Sequence, residues 1–431
     1  MPDWKLHTPN GVSDVLPEEC AVKREIEDVI RTVFATCGYR ETEPPSFEYY
    51  DCYSAETGQI SQEKLYKFFD EQGRILALRP DFTTSIARMS ATKLAEEKNP
   101  QRYMYTGSVY RAESTEGVRR REITQSGIEL IGSYAAMADA EVIAATIEAM
   151  LALGIEEISM EIGQVAFFNG LVRQLGLDGE MTEKLRDRID SKDSQGITKI
   201  VDGLSINEDI KRLIIDMPYL FGDESVLKRA DVKGLNPTSK QALENLKQIH
   251  RLLCLYGLEE FISLDLGMLQ SIDYYTGSIF KCYTRGVGFP IAAGGRYDEL
   301  MSMFGTPKGA VGCAIGINRI MEVYSSSVDA FPSTLVYAER NAEGLAYDLA
   351  SDLRINGCLT ELYIGGGAIG DALAYASETG SVCVMKVSAN GGLVIYDLER
   401  DDIIETTVDD FRGTRDDTPE LSPQDMGFRK L

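Results

Sequence analysis

Histidine is nearly absent: the chain has two in 431 residues, His7 and His250. Neither lies near another cluster of ligand-type residues; His7 reads as a loop residue and His250 as part of a helix. That argues against a triad or a metal centre built on imidazole. The eight cysteines (20, 37, 52, 254, 282, 313, 358, 383) include no Cys-x-x-Cys pair. They read as reduced thiols in a cytoplasmic protein, not as a disulfide frame or a zinc site. No apolar run reaches the ~20 residues a membrane helix needs, and Met1 to Pro17 carries no apolar core behind basic residues, so no signal peptide is expected. Positive charge is scarce too. Lys and Arg number 44 against 68 Asp and Glu, a formal net charge of −24. Nucleic-acid phosphates need neutralisation by Lys and Arg, and such a chain opposes their approach. Residues 331–431 alone hold 18 acidic and 8 basic residues, a net of −10.

What is present suffices for a packed core: 44% of residues are hydrophobic, and the length suggests two or three domains. Residues 18–37 read as an amphipathic helix, with Ile26, Val29, Ile30, Val33 and Phe34 at helical spacing and Gly38 at its end. Pro44-Pro45 punctuate the chain behind a short strand. Strand pairs are expected around 64–80 and 104–131, a helix over 134–153, and a strand over 155–163. From about 166 to 257 charged-faced helices with short breaks form an expected helical insertion. Strands return over 259–321, closing on a small-residue helix from Gly312 to Tyr324. The serine-rich stretch 325–332 reads as a linker. Beyond it the alternation of strand 334–338, helix 342–355, strand 359–364, helix 369–379 and strands 381–387 and 392–398 predicts a small α/β domain. Residues 406–431 read as a loosely held tail. The expected organisation is therefore a core over 1–325, an α/β domain over 333–405, and a tail.

The richest stretch is 104–132, two strand-like arms around an arginine-bearing loop. Strand alternation puts Ile123, Gln125, Gly127 and Glu129 on one face. Gln125 and Glu129 then lie ~13 Å apart, with Gly127 leaving room between them for a small polar ligand. An ordinary polar sheet face is the alternative. A second cluster is Leu78-Arg79-Pro80-Asp81-Phe82-Thr83-Thr84. Asp81 and Thr83 could together fix an ammonium group, or cap the helical run 84–95. Gly365-Gly366-Gly367-Ala368-Ile369-Gly370 fits Gly-x-Gly-x-x-Gly after a strand, but the required acid about 20 positions on is missing; Asp397 lies too far along. A plain glycine loop is the better reading. The loop arginines 119–121 are too short a patch to indicate RNA or nucleotide.

Residues 104–132 resemble the second signature motif of class II aminoacyl-tRNA synthetases, specifically the histidyl-tRNA synthetase group. The similarity is strong over about 5–324 and weaker over 333–400. It implies an α+β fold: a largely antiparallel sheet core with flanking helices, a helical insertion, and a small C-terminal α/β domain akin to an anticodon-binding domain. The helix, strand and proline near the start match the family's dimer interface, so a homodimer is implied. The family's acid and threonine that hold the α-amino group of histidine fall on Asp81 and Thr83, the acid being one methylene shorter than usual. Gln125 and Glu129 match positions that meet the amino acid, with Glu129 facing the imidazole. Its counterpart is Tyr275, within Asp273-Tyr274-Tyr275-Thr276-Gly277; Tyr274 stands beside it, and Tyr297 of Ala293-Gly294-Gly295-Arg296-Tyr297-Asp298 joins the same pocket wall. A site of buried polar groups rejects ligands that leave them unpaired.

Two departures bear on chemistry. The family arginine beside the α-phosphate and carboxylate is Gln270 here, and a neutral amide supplies neither its charge nor its forked donors. The adenine-stacking phenylalanine is Ile123, which has no flat π-face. Arg111, Glu113 and Arg319 remain, either as a residual phosphate or nucleotide site or as structural ion pairs. The group has two branches, enzymes that charge tRNA and regulatory subunits of ATP phosphoribosyltransferase. The departures and the acidic C-terminal part favour the second. The expected histidine-binding set is Asp81, Thr83, Arg111, Gln125, Glu129, Gln270, Tyr274, Tyr275 and Tyr297, with no catalytic residue, metal or cofactor. The implied partner is the short catalytic phosphoribosyltransferase subunit, in a hetero-oligomer with histidine as effector. An active histidyl-tRNA synthetase is the competing reading.

Overall fold

The computed structural model describes residues 4–53, 62–98, 100–112, 120–269, 275–325 and 333–417. They fall into two compact units, Met1–Ser325 and Ser326–Leu431. In the first, α1 (Pro17–Thr36) opens on a proline, whose missing N–H is harmless in the first turn, and buries Ile26, Ile30 and Phe34. There follow β1 (Arg40–Glu41), β2 (Phe47–Tyr49), β3 (Lys67–Phe69), β4 (Ile75–Leu78), α2 (Thr83–Ala91), β5 (Gln101–Tyr110), β6 (Glu122–Ile131), α3 (Ala136–Ala152) and β7 (Ile158–Gln164). A mainly helical stretch comes next: α4 (Val165–Leu175), α5 (Gly179–Asp190), α6 (Ser194–Asp202), α7 (Glu208–Asp216), the two-residue β8 (Phe221–Gly222), α8 (Ser225–Ala230) and α9 (Pro237–Leu255). The unit closes with β9 (Ile262–Asp265), β10 (Ser278–Thr284), β11 (Ala292–Arg296), α10 (Asp298–Met303), β12 (Ala310–Gly316) and α11 (Ile317–Ile320).

Nine strands form one sheet in the order β1-β5-β6-β12-β11-β10-β7-β9-β8. The pairs β1–β5 and β7–β9 are parallel and the other neighbours antiparallel. The two faces of this sheet position the site. Ile128 and Leu130 of β6 join the large core that contains α1 and α3 residues. The alternate residues of β6 face the other way, where Phe82, Tyr105, Tyr297 and Ile131 make a smaller core. A separate antiparallel sheet, β2-β4-β3, precedes α2.

The helix expected from Gly312 to Tyr324 is instead strand β12 followed by a single short helix, α11. Small residues suit a helix by propensity, but here they let a strand lie between crowded neighbours. A Cβ on Gly312 would come 1.7 Å from Glu129 Oε2, and one on Gly294 would come 2.3 Å from the Gly312 carbonyl oxygen.

The second unit contains β13 (Thr334–Ala338), α12 (Glu343–Ile355), β14 (Thr360–Leu362), α13 (Ile369–Thr379), β15 (Cys383–Val387), β16 (Gly392–Asp397), β17 (Asp402–Thr407) and α14 (Val408–Asp417). Its sheet runs β14-β13-β15-β16-β17, parallel around β13 and antiparallel beyond β15. The loose tail expected from residue 406 is corrected in part. Residues up to Thr407 complete β17, and α14 sends Val408 and Phe411 into the core beside Leu349 and Met385. Two apolar side chains were enough to anchor a segment that reads as charged. Among the described residues no helix is long and apolar enough to cross a membrane.

Candidate functional site

The second face of β6 carries the chemistry. Glu129 is 1% exposed, and both its oxygens accept hydrogen bonds from hydroxyls. Thr83 Oγ1 donates to Oε1 at 2.7 Å, and Tyr297 Oη donates to Oε2 at 2.5 Å. Thr83 opens α2, and Tyr297 stands between β11 and α10. Three elements distant in sequence therefore converge on one carboxyl. Burial pushes the Glu129 carboxyl up to about 8, against the two hydroxyl bonds, and the nearby Asp81 adds to the rise. The bare Cα of Gly312 leaves the space that this carboxyl fills.

Asp81 fills one of the two roles its sequence context suggested, that of a cap. One oxygen, Oδ1, accepts from the Thr84 N–H at 3.1 Å and the Thr84 hydroxyl at 2.9 Å, so it caps the first turn of α2. The other, Oδ2, is buried without a hydrogen-bond partner among the described residues. Burial raises the Asp81 pKa; the Thr84 bonds and the Arg111 charge oppose that rise. Gln125 Oε1 is likewise buried with no partner among the described residues. Buried acceptors normally have donors, and among the described residues neither of these two has one.

Gly127 does not leave the gap expected between Gln125 and Glu129. Tyr105 pairs with it in register across β5 and β6, and its ring folds over the glycine. A Cβ on Gly127 would meet the Tyr105 hydroxyl at 2.3 Å. Tyr105 also stacks on Phe82, ring centres 4.2 Å apart. The middle of this strand face is therefore aromatic, between the polar Gln125 and Glu129. Tyr275 lies against the sheet at Gly295, where a Cβ would come 2.8 Å from its ring. Burial raises the Tyr105 phenol well above its ordinary value, with Glu129, Asp81 and Tyr275 all contributing.

Arg111 sends Nε to the Pro80 carbonyl at 3.3 Å, which brings its charge beside Asp81. Arg319 is held by the Pro290 carbonyl and lies over the Phe289 ring, 5.6 Å from its centre. Gln270, Tyr274 and Glu113 lie outside the described residues. Ile123 packs against the Tyr105 and Phe82 cluster. In the second unit, Asp371 fills the start of α13: its carboxylate accepts from the Ala368 N–H at 2.8 Å, and a Cβ on Gly367 would sit 2.4 Å from it. A carboxylate already stands where a phosphate would approach, which agrees with a plain glycine loop.

Sequence reasoning missed a buried ion cluster beside the pocket. Arg296 donates to Asp139 at 2.6 and 3.1 Å and to Asp298 at 3.1 Å. The Asp139 side chain also accepts from Ser278. Asp298 accepts from the Ala310 N–H at 2.8 Å, and Thr276 N–H donates to the Arg296 carbonyl at 2.8 Å. The cluster thereby fixes both Tyr297 and the segment entering from Tyr275. Its signal was available: Asp139 is an acid among apolar residues in α3.

The family model described as histidyl-tRNA synthetase matches residues 11–320. A protein of Acetivibrio thermocellus named ATP phosphoribosyltransferase regulatory subunit is 43% identical over 412 residues, 95% of this chain and 99% of that one. A protein of the same name from Ruminiclostridium cellulolyticum is 38% identical, with 95% and 99% covered. Among solved structures, an ATP phosphoribosyltransferase regulatory subunit/histidyl-tRNA synthetase from Bacillus halodurans superposes with a TM-score of 0.79 at 31% identity, covering 89% of this chain and 98% of that one. Histidyl-tRNA synthetase from Nostoc shares the fold, with a TM-score of 0.76 at 19% identity over 95% and 98% of the chains.

Proposed function

Because this chain belongs to the family of ATP phosphoribosyltransferase regulatory subunits, built on the histidyl-tRNA synthetase fold, we propose that its synthetase-like pocket takes histidine and reports it to a catalytic partner. The chain is the non-catalytic subunit for the first step of histidine biosynthesis. Its partner is the catalytic phosphoribosyltransferase subunit. A cytoplasmic homodimer within that hetero-oligomer is the assembly we infer.

One observation supports the site reading: among the described residues, Asp81 Oδ2 and Gln125 Oε1 are buried acceptors without donors. An α-ammonium group supplies N–H donors and the positive charge a buried carboxyl requires. Glu129, braced by Thr83 and Tyr297, is oriented to accept from an imidazole N–H. Tyr105 supports a flat ring, and Tyr275 closes the wall. Arg111 offers a cation for the ligand carboxylate.

Regulation then needs a differential affinity of histidine for two arrangements of the assembly. Such coupling is typically ~1–3 kcal/mol and is reciprocal. Reconstitution with the catalytic subunit tests this. Added chain should raise phosphoribosyl transfer, and histidine should lower it again. Asp81→Asn should keep the activation and lose most of the inhibition by histidine. Unchanged inhibition in that variant would move the effector site elsewhere. The purified chain should also show no histidine-dependent exchange of pyrophosphate into ATP; exchange at a useful rate would restore the synthetase reading.

A further inference from the structure

Arg79 follows β4 and is only 6% exposed. Its guanidinium donates to two backbone carbonyls, from Nε to Ser108 at 2.8 Å and from Nη1 to Pro44 at 2.7 Å. Among the described residues no carboxylate pairs with it. Burying a cation on carbonyls alone is costly, so the side chain is doing something a neutral residue would not. Its flat face supplies the answer. Arg79 Cζ lies 4.1 Å from the centre of the Phe82 ring, and Phe82 in turn stacks on Tyr105 at 4.2 Å. A planar guanidinium can fork to two carbonyls and lie on a ring at once; a lysine ammonium cannot.

Phe82 stands between Asp81 and Thr83 in the chain, so holding its ring holds the turn that carries both. The seat for this stack is Gly107 of β5. A Cβ there would come 3.0 Å from Arg79 Nη2 and 3.0 Å from Phe82 Cζ. Gly107 pairs in register with Gln125 of β6. The stack therefore joins the turn of Asp81 to the strand pair of Gln125. These are the residues whose buried acceptors, Oδ2 and Oε1, lack donors among the described residues.

We propose that Arg79 is the positioning residue for the ammonium end of the ligand: by pressing Phe82 onto Gly107 it holds Asp81 against the strand pair that presents Gln125. The inference rests on the histidine reading above and names what aligns one of its contacts. Arg79 acts through Phe82 and not on the ligand. A strap that merely joined Pro44 to β5 would affect every ligand of the pocket alike. A positioning role affects ligands that carry an ammonium group and spares those that lack one.

Titration calorimetry of the full chain with two ligands tests this. One is histidine; the other is imidazole propionate, which is histidine without its amino group. The unaltered chain should prefer histidine. Arg79→Lys keeps the charge and loses the fork. It should weaken histidine about tenfold or more, the size of one lost charge-assisted hydrogen bond, and leave the affinity for imidazole propionate unchanged. Gly107→Ala crowds the same seat without altering any charge, and should move the ratio in the same direction by a smaller factor. If circular dichroism shows that Arg79→Lys does not fold, Gly107→Ala decides alone. Equal losses for the two ligands, or an unchanged ratio in a folded variant, would overturn the positioning role and leave the histidine site standing. An unaltered chain that binds neither ligand would remove the histidine reading as well.

Discussion

Glu129 shows how far a single position can be read. Its face and its neighbour Gln125 follow from alternation along one strand. Its two hydroxyl donors do not, because they come from α2 and from beyond β11, and only the sheet register brings them together. Tyr105 escaped for the same reason: nothing local to Gly127 reveals which side chain pairs opposite it. Glu129→Ala should weaken histidine more than other amino acids; equal losses for all, measured by titration, would contradict imidazole readout. Gly312→Ala is a sharper case. Its Cβ would sit 1.7 Å from Glu129 Oε2, so the carboxyl must move; overpacking of this kind costs about 1–3 kcal/mol. Histidine affinity should fall at least tenfold, in excess of any fall in denaturant midpoint. Asp139→Ala leaves Arg296 buried with one partner fewer. Breaking such a pair costs about 3–5 kcal/mol, and urea unfolding should register it.

At the scale of elements, long periodic segments were legible. The apolar stripe of α1 and the strand–helix alternation of the second unit both appear close to their expected bounds. Two elements were misread, each through tertiary context. The run of small residues in β12 reflects close packing of strands and not helix propensity. In α14 many charges hid two anchoring residues, Val408 and Phe411. Phe411→Ala removes a side chain only 7% exposed, and such truncations cost about 3–5 kcal/mol. The second unit should therefore melt earlier, with histidine affinity unchanged, since every site residue named above belongs to the first unit. Loss of binding in that variant would tie α14 to the site.

For the whole molecule, the acidic balance of −24 set the broad reading, but the buried carboxyls set its pH response. Glu129 is raised from 4.5 to about 8 in the folded chain. The folded state therefore binds a proton that the unfolded chain releases. That contribution is complete below about pH 4.5 and is lost as pH rises towards 8. Asp81 is shifted in the same direction. Glu129→Gln, always neutral, should accordingly gain stability relative to the unaltered ligand-free chain between pH 5 and 8.5 in chemical unfolding; a constant difference would mean Glu129 is ionised throughout.

The account stands on a pocket that grips histidine without activating it. Equilibrium dialysis of labelled histidine against the purified chain addresses this most directly. The prediction is saturable binding at one histidine per chain, retained without ATP and sharply weakened in Asp81→Asn. No saturable binding, or binding indifferent to Asp81, would contradict it.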